Sequence, residues 1–256
     1  MTKFLAFISG KGGVGKTITS INLSLALQNF GRDVVVVDLS LATPDLSLYL
    51  GVPFLPATLN NVIKGDNEIK DVVYRHPSGI KLIPASISTE DYEPDKVREA
   101  IKKLDGLYEV VLLDFAAGFD KNNLSLMKLA DEAFIVTMPE LPSITDALRA
   151  IKLAEENDVT VAGIILNKVR EDNYELSSSN VSMMLGYPVV EKVPFDDNLR
   201  KAVHNKFPVL SAYPNSPSSV AFKKLASVLI GDKKYETNLQ DKETQDILIK
   251  LGLKNE

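Results

Sequence analysis

The sequence predicts an α/β protein with a doubly wound, mostly parallel sheet and helices on both faces. Three observations carry this. The apolar run Phe4-Leu5-Ala6-Phe7-Ile8 passes through a glycine-rich turn into a helical pattern of Ile21, Leu23, Leu25, Ala26 and Leu27. Val34-Val35-Val36-Val37 is apolar at every position, as a strand buried on both faces is, and Asp38 ends it. Similar runs then alternate with helical patterns along most of the chain, which is the order of parallel strands joined by crossover helices.

The later strands are expected at Lys81-Leu82-Ile83, Val110-Val111-Leu112-Leu113, Ala133-Phe134-Ile135-Val136, 161–166 and Val189-Val190. Helical spacing of apolar residues fills the gaps near 17–30, 94–104, 121–130, 143–156, 176–185, 196–204 and 217–230. No repeat or linker divides residues 1–230, which read as one domain. Gly231 stops the pattern, and 231–256 is a polar tail ending in the apolar cluster Ile247-Leu248-Ile249-Lys250-Leu251-Gly252-Leu253.

Composition removes several classes of function. No run of 18 apolar residues is present, so no membrane span is expected. Met1-Thr2-Lys3 leads straight into the first strand, which leaves no room for a signal peptide and points to a cytoplasmic protein. The chain has no cysteine, which excludes disulfides and any metal or cluster held by thiolates. A net charge of −5 supplies no overall field for nucleic acid.

The chemistry starts at Gly10-Lys11-Gly12-Gly13-Val14-Gly15-Lys16-Thr17. A glycine-rich turn between a strand and a helix is a P-loop. Its backbone N–H groups turn inward on phosphate oxygens, and the helix N-terminus adds partial positive charge. Lys16 is placed to reach the β- and γ-phosphates, and the Thr17 hydroxyl to bind Mg²⁺, with Ile18 completing the segment. Ligands in open parallel sheets bind beyond the carboxyl ends of the strands. The P-loop, Asp38, Asp114 and Pro139 all follow strand ends, so they are expected to converge.

The general motif leaves the position of Lys11 free. A lysine there resembles the deviant Walker A pattern of the MinD/ParA family, which includes the nitrogenase iron protein and the arsenical pump ATPase. The resemblance spans about residues 3–230 and fits the MinD-type branch better than ParA proteins with N-terminal DNA-binding extensions. It implies ATP or ADP with Mg²⁺, and a homodimer formed in ATP in which Lys11 reaches the partner's nucleotide. The same likeness places Asp114 as the Walker B aspartate, and Asp114-Phe115-Ala116-Ala117-Gly118 resembles the family's DxPAG switch II with Ala116 replacing proline. Asp38 resembles the first aspartate of switch I. The implied catalytic set is Lys11, Lys16, Asp38 and Asp114, and the metal set is Thr17, Asp38 and Asp114.

One departure matters. The second switch I aspartate, which positions the hydrolytic water in the family, is Ser40 here, and a serine is a poor substitute for a carboxylate. Asp45 lies five residues on; it could swing in towards the site, but it is expected to cap the short helix starting Leu46-Ser47-Leu48. Hydrolysis is therefore expected to be slow or partner-activated. For the base, Asn167 after Ile164-Ile165-Leu166 suits an adenine edge, and Val193-Pro194-Phe195-Asp196 resembles the loop that flanks it. Glu140 and Asp146 are candidates to meet the partner's lysine.

These residues predict an ATP-binding dimerisation switch for intracellular positioning, such as division-site placement or recruitment of an unidentified protein partner. The alternatives are a nucleotide-gated scaffold without significant ATPase activity, a ParA-like DNA-segregation ATPase, and an ATP-dependent ligase of the dethiobiotin or cobyrinate type. A DNA patch would draw on Arg200-Lys201, Lys206, Lys223-Lys224 and Lys233-Lys234. Weak peripheral membrane contact would use 242–254, but the tail carries more acids than lysines and its apolar residues are partly consecutive. His76 and His204 lack metal-ligand spacing and read as core or surface residues, and Met183-Met184 reads as core filler.

Overall fold

A computed structural model describes residues 2–87, 92–118 and 121–231, without the side chains of 121 and 122. The expected tail helix and its membrane contact through 242–254 lie outside the described residues. In chain order the elements are β1 (Lys3–Ile8), α1 (Lys16–Asn29), β2 (Val34–Asp38), α2 (Leu46–Tyr49) and α3 (Leu59–Lys64). A 3-10 turn (Ile69–Val72) leads to β3 (Tyr74–Arg75), β4 (Lys81–Ile83), α4 (Pro94–Lys102), β5 (Val110–Asp114) and α5 (Lys121–Met127). Then come β6 (Glu132–Thr137), α6 (Leu141–Glu156), β7 (Thr160–Val169), α7 (Ser178–Leu185) and β8 (Val189–Pro194), followed by α8 (Asp197–His204), α9 (Val209–Ala212) and α10 (Pro217–Ile230).

The strands form one sheet in the order β3-β4-β2-β5-β1-β6-β7-β8. Each neighbouring pair is parallel except β3 with β4. The all-apolar strands are buried on both faces because side chains alternate. Val35 and Val37 join one core with Ala6, Ile8, Val111 and Leu113, under α4 to α7. Val34 and Val36 join the other with Leu5, Phe7 and Leu112, under α1 and α10. Helices therefore cover both faces, as the alternation of elements predicts.

Topology also places the site. In parallel register Asp38 lies opposite Asp114, and Phe7 lies opposite Asp114 on its other side. The P-loop leaves β1 beside β5, and the strand order reverses there, with β5, β2 and β4 to one side and β6 to β8 to the other, which is where ligands bind in such sheets.

Two readings need correction. Met183 and Met184 are exposed, 81% and 44%. The i,i+4 pair Val181 and Leu185 takes the core face of α7 instead, which turns both methionines outward. Nor was the antiparallel edge pair expected: β3 is two residues long and carries too little pattern to read.

His76 is a satisfied core residue at this edge, and His204 is exposed. The Ser78 N–H donates to His76 Nδ1 at 3.1 Å, so the Nε2–H donates to the Leu50 carbonyl at 3.0 Å. Burial lowers the His76 pKa below its usual value, against a smaller opposing effect of the Leu50 bond. A lowered histidine stabilises the fold fully above its unfolded pKa, and the gain is lost as pH falls through the folded value. Thermal unfolding of wild type and His76→Gln between about pH 7 and about pH 5 should show wild type losing more stability on acidification, so that the gap between them narrows.

Candidate functional site

The segment expected to hold phosphate forms the floor of a cavity of about 210 Å³ beyond the carboxyl ends of β1, β2 and β5. Lys11 to Ile18 line it, joined by Ser9, Ser40, Thr43, Asp45, Tyr49, Ala116 and Ala117. Gly13 and Gly15 adopt left-handed φ values of 78° and 97°, which bend the backbone into the turn before α1.

Two glycines are needed for close approach as well. A Cβ at Gly10 would lie 2.5 Å from the Asp146 carbonyl oxygen of α6, and one at Gly15 would lie 2.1 Å from Asn167 Nδ2. That contact is part of a clasp from the end of β7. Asn167 Nδ2 donates to the Val14 carbonyl at 2.7 Å, and Lys168 Nζ donates to the Gly13 carbonyl at 2.6 Å. The Asn167 Oδ1 accepts the Lys168 N–H. Lys168, in a left-handed backbone conformation at φ 59°, is a tie to the turn that sequence reasoning missed. Its only signal was adjacency to Asn167.

Beneath the turn, Lys16 is buried, with Nζ 3.5 Å from Asp114 Oδ1. Asp114 Oδ2 is buried without a hydrogen-bond partner. Asp38 is fully buried beside it; its Oδ1 accepts the Ser40 N–H at 2.9 Å and its Oδ2 the Leu46 N–H at 3.1 Å. Burial, followed by the Asp114 charge, pushes the Asp38 pKa up to about 7 against the two N–H groups and Lys16.

The Leu46 bond corrects the expectation for Asp45. Asp45 occupies the N-cap position of α2 but makes no side-chain cap bond, and Asp38 receives the first amide of the helix instead. The Asp45 side chain lines the cavity.

Other expected residues fall as follows. Lys11 is exposed at the cavity mouth, and Asp146 stands against Gly10. Glu140 is the exposed N-cap residue of α6. Pro194 lines a separate groove of about 690 Å³ with Val169, Arg170, Phe195 and Lys224. Asp196, expected beside the base, gives its carboxylate to the fold: Oδ1 takes the Asn198 N–H, and Oδ2 takes the N–H and hydroxyl of Ser218 at 3.1 and 2.6 Å. Burial alone would raise its pKa, but these donors together with Ser216 hold it below the usual carboxylate value. In the basic stretch, Arg200 pairs with Asp197 and Lys223 donates to the Pro214 carbonyl. Among the described residues no helix is long and apolar enough to cross a membrane.

A family model described as the CobQ/CobB/MinD/ParA nucleotide binding domain matches residues 5–209. The chain belongs to that family. It is a MinD/ParA-family P-loop protein, and the family comprises ATPases related to cell-division and positioning proteins. An uncharacterized ATP-binding protein of Methanocaldococcus jannaschii is 38% identical over 93% of this chain and 91% of its own length. The septum site-determining protein MinD from Pyrococcus horikoshii, solved with Mg-ADP, superposes with TM-score 0.85 at 30% identity, covering 93% of this chain and all of that one. A chain of the MinC:MinD cell division protein complex of Aquifex aeolicus superposes with TM-score 0.82 at 26% identity, over 90% and 96% of the two chains.

Gly15→Ala should weaken binding of a fluorescent ATP analogue by about tenfold to a hundredfold, since a left-handed non-glycine residue alone costs about 1–3 kcal/mol and Asn167 must also move. An unchanged dissociation constant in a titration would show that the turn does not have to hold this shape.

Proposed function

We propose that this protein is an ATP-driven dimerisation switch: Mg-ATP brings two copies together face to face, a partner is recruited to the dimer, and hydrolysis to ADP and phosphate releases it. The observation that carries the reading is the pairing of two lysines in one turn. Lys16 is buried beneath the turn and faces Asp114, whereas Lys11 is exposed at its mouth. In this reading Lys16 serves the nucleotide of its own chain, and Lys11, free to reach outward, serves that of a second copy. The exposed Leu141 and Leu148, a helical seven-residue spacing apart on α6, support an apolar contact on that side.

The metal expectation fits the residues present. Mg²⁺ keeps several waters and takes one or two protein oxygens plus phosphates, so it needs no ring of carboxylates, and none of three or more is found among the described residues. Asp114 Oδ2, buried and without a partner, is the oxygen that such an ion or its water would satisfy, and Thr17, which lines the cavity, would add its hydroxyl. Asp38 already accepts two N–H groups, so we assign it to holding the 40–46 loop beside the ion. Bound Mg²⁺ supplies neutralisation of the developing phosphate charge. Lys16 adds to this, and the glycine turn supplies backbone N–H groups that fix the phosphates. For the base, Asn167 keeps one N–H and one lone pair after its contacts to Val14 and Lys168, the complement of an adenine edge.

By analogy with MinD in its complex with MinC, the recruited partner is a protein, and the biological task is spatial positioning. The net charge of −5 and the pairing of Arg200 with Asp197 argue against DNA. Lys11→Ala should bind ATP as wild type does yet stay monomeric in Mg-ATP by light scattering. A variant that still dimerises with nucleotide would remove Lys11 from the interface.

A further inference from the structure

We propose that Asp45 supplies the switch I carboxylate that orients the attacking water, in place of the residue at position 40; this rests on the ATPase reading above. Ser40 is buried, its N–H is held by Asp38 Oδ1, and its hydroxyl carries no charge. The chain compensates through the shape of the loop. By accepting the N–H groups of both Ser40 and Leu46, Asp38 closes residues 40–46 into a tight excursion from the end of β2. The outer limb of that loop carries Asp45 into the phosphate cavity.

Three features set Asp45 apart from an ordinary helix cap. Its carboxylate makes no cap bond, because the amide it would receive goes to Asp38. It lines the same cavity as Lys16, Thr17, Ser40 and Ala117. It is also electrostatically part of the site: burial raises its pKa first, Asp114 raises it further, and Lys16 opposes them. Asp45 remains exposed at the open mouth, where water has access.

The step balances without a further reagent. The water oxygen forms a bond to the γ-phosphorus, and the bond from that phosphorus to the β–γ bridging oxygen breaks with its electron pair leaving on ADP. Asp45 accepts a hydrogen bond from the water as it attacks. The water proton passes to the departing phosphate, and Asp45 ends as it began. A carboxylate in this position acts by alignment, which matches a transition state that needs little covalent help from the protein.

Asp45→Asn isolates the charge, because asparagine matches aspartate in size and shape and lacks only its negative charge. Single-turnover phosphate release from Mg-ATP is measured for wild type, Lys16→Ala, Asp45→Asn and Asp45→Asn/Ser40→Asp, together with the dissociation constants for ATP and for ADP–aluminium fluoride. The expected result is release slowed about a hundredfold in Asp45→Asn. ATP affinity should stay unchanged, ADP–aluminium fluoride affinity should fall, and the double variant should recover turnover as the carboxylate returns at position 40. Wild-type rates in Asp45→Asn, a parallel loss of ATP affinity, or a double variant as slow as the single one would each overturn the proposal while leaving the ATPase reading in place. Release by wild type no faster than by Lys16→Ala would sink the ATPase reading itself and this inference with it.

Discussion

Two buried carboxylates at the ends of adjacent strands, with one lysine between them and the P-loop, form the constraint on which the rest of the structure depends. Asp38 and Asp114 are register partners on β2 and β5, both fully buried, and Lys16 is the cation beside them. Burying like charges side by side is unfavourable unless hydrogen bonds and counter-charges compensate. Asp38 is answered by two backbone amides and by a pKa near neutrality. Asp114 is answered on one oxygen only. The fold holds this arrangement because β2 and β5 pair in parallel inside a sheet covered on both faces, with Asp38 and Asp114 at matching strand ends. A parallel sheet core thus fixes an unsatisfied oxygen in place beside a phosphate cradle.

That arrangement also explains how the loops around the site are tied together. The Leu39 N–H bonds to the Asp114 carbonyl, and the Gly118 N–H to the Ser9 carbonyl. The loop after β2 and the loop after β5 are each anchored to a neighbouring strand end. On the opposite side, Asn167 and Lys168 hold the carbonyls of Val14 and Gly13. Any change of charge at Asp114 therefore acts on the same small set of backbone bonds that shape the loop carrying Asp45.

Much of this was legible in the sequence, for identifiable reasons. The seven parallel strands were visible because strands buried on both faces are continuous apolar runs, and the P-loop because its glycines are needed at fixed spacing. What was not legible depended on contacts between distant residues. Whether Asp45 or Asp38 receives the Leu46 amide depends on how far the loop turns back, not on the residue type at the cap. Met183 and Met184 looked like core because methionine fills cores, but Val181 and Leu185 outcompete them for the buried face. Asp196 looked like a ligand residue because Val193-Pro194-Phe195-Asp196 resembles the family's loop beside the base. Only the position of Ser218, on a helix far along the chain, shows that its carboxylate is a structural anchor. Beyond its adjacency to Asn167, Lys168 gave no signal, because a lysine after a strand is usually solvated.

The central claim is that Asp114 is held ready for a metal-bound nucleotide in this cavity. Calorimetric titration of ATP into the protein with and without Mg²⁺, for wild type and Asp114→Asn, tests it most directly. The account predicts that Mg²⁺ tightens ATP binding in wild type and that Asp114→Asn removes this gain while binding metal-free ATP at least as well. Equal Mg²⁺ dependence in the two proteins would contradict it and place the ion on other ligands.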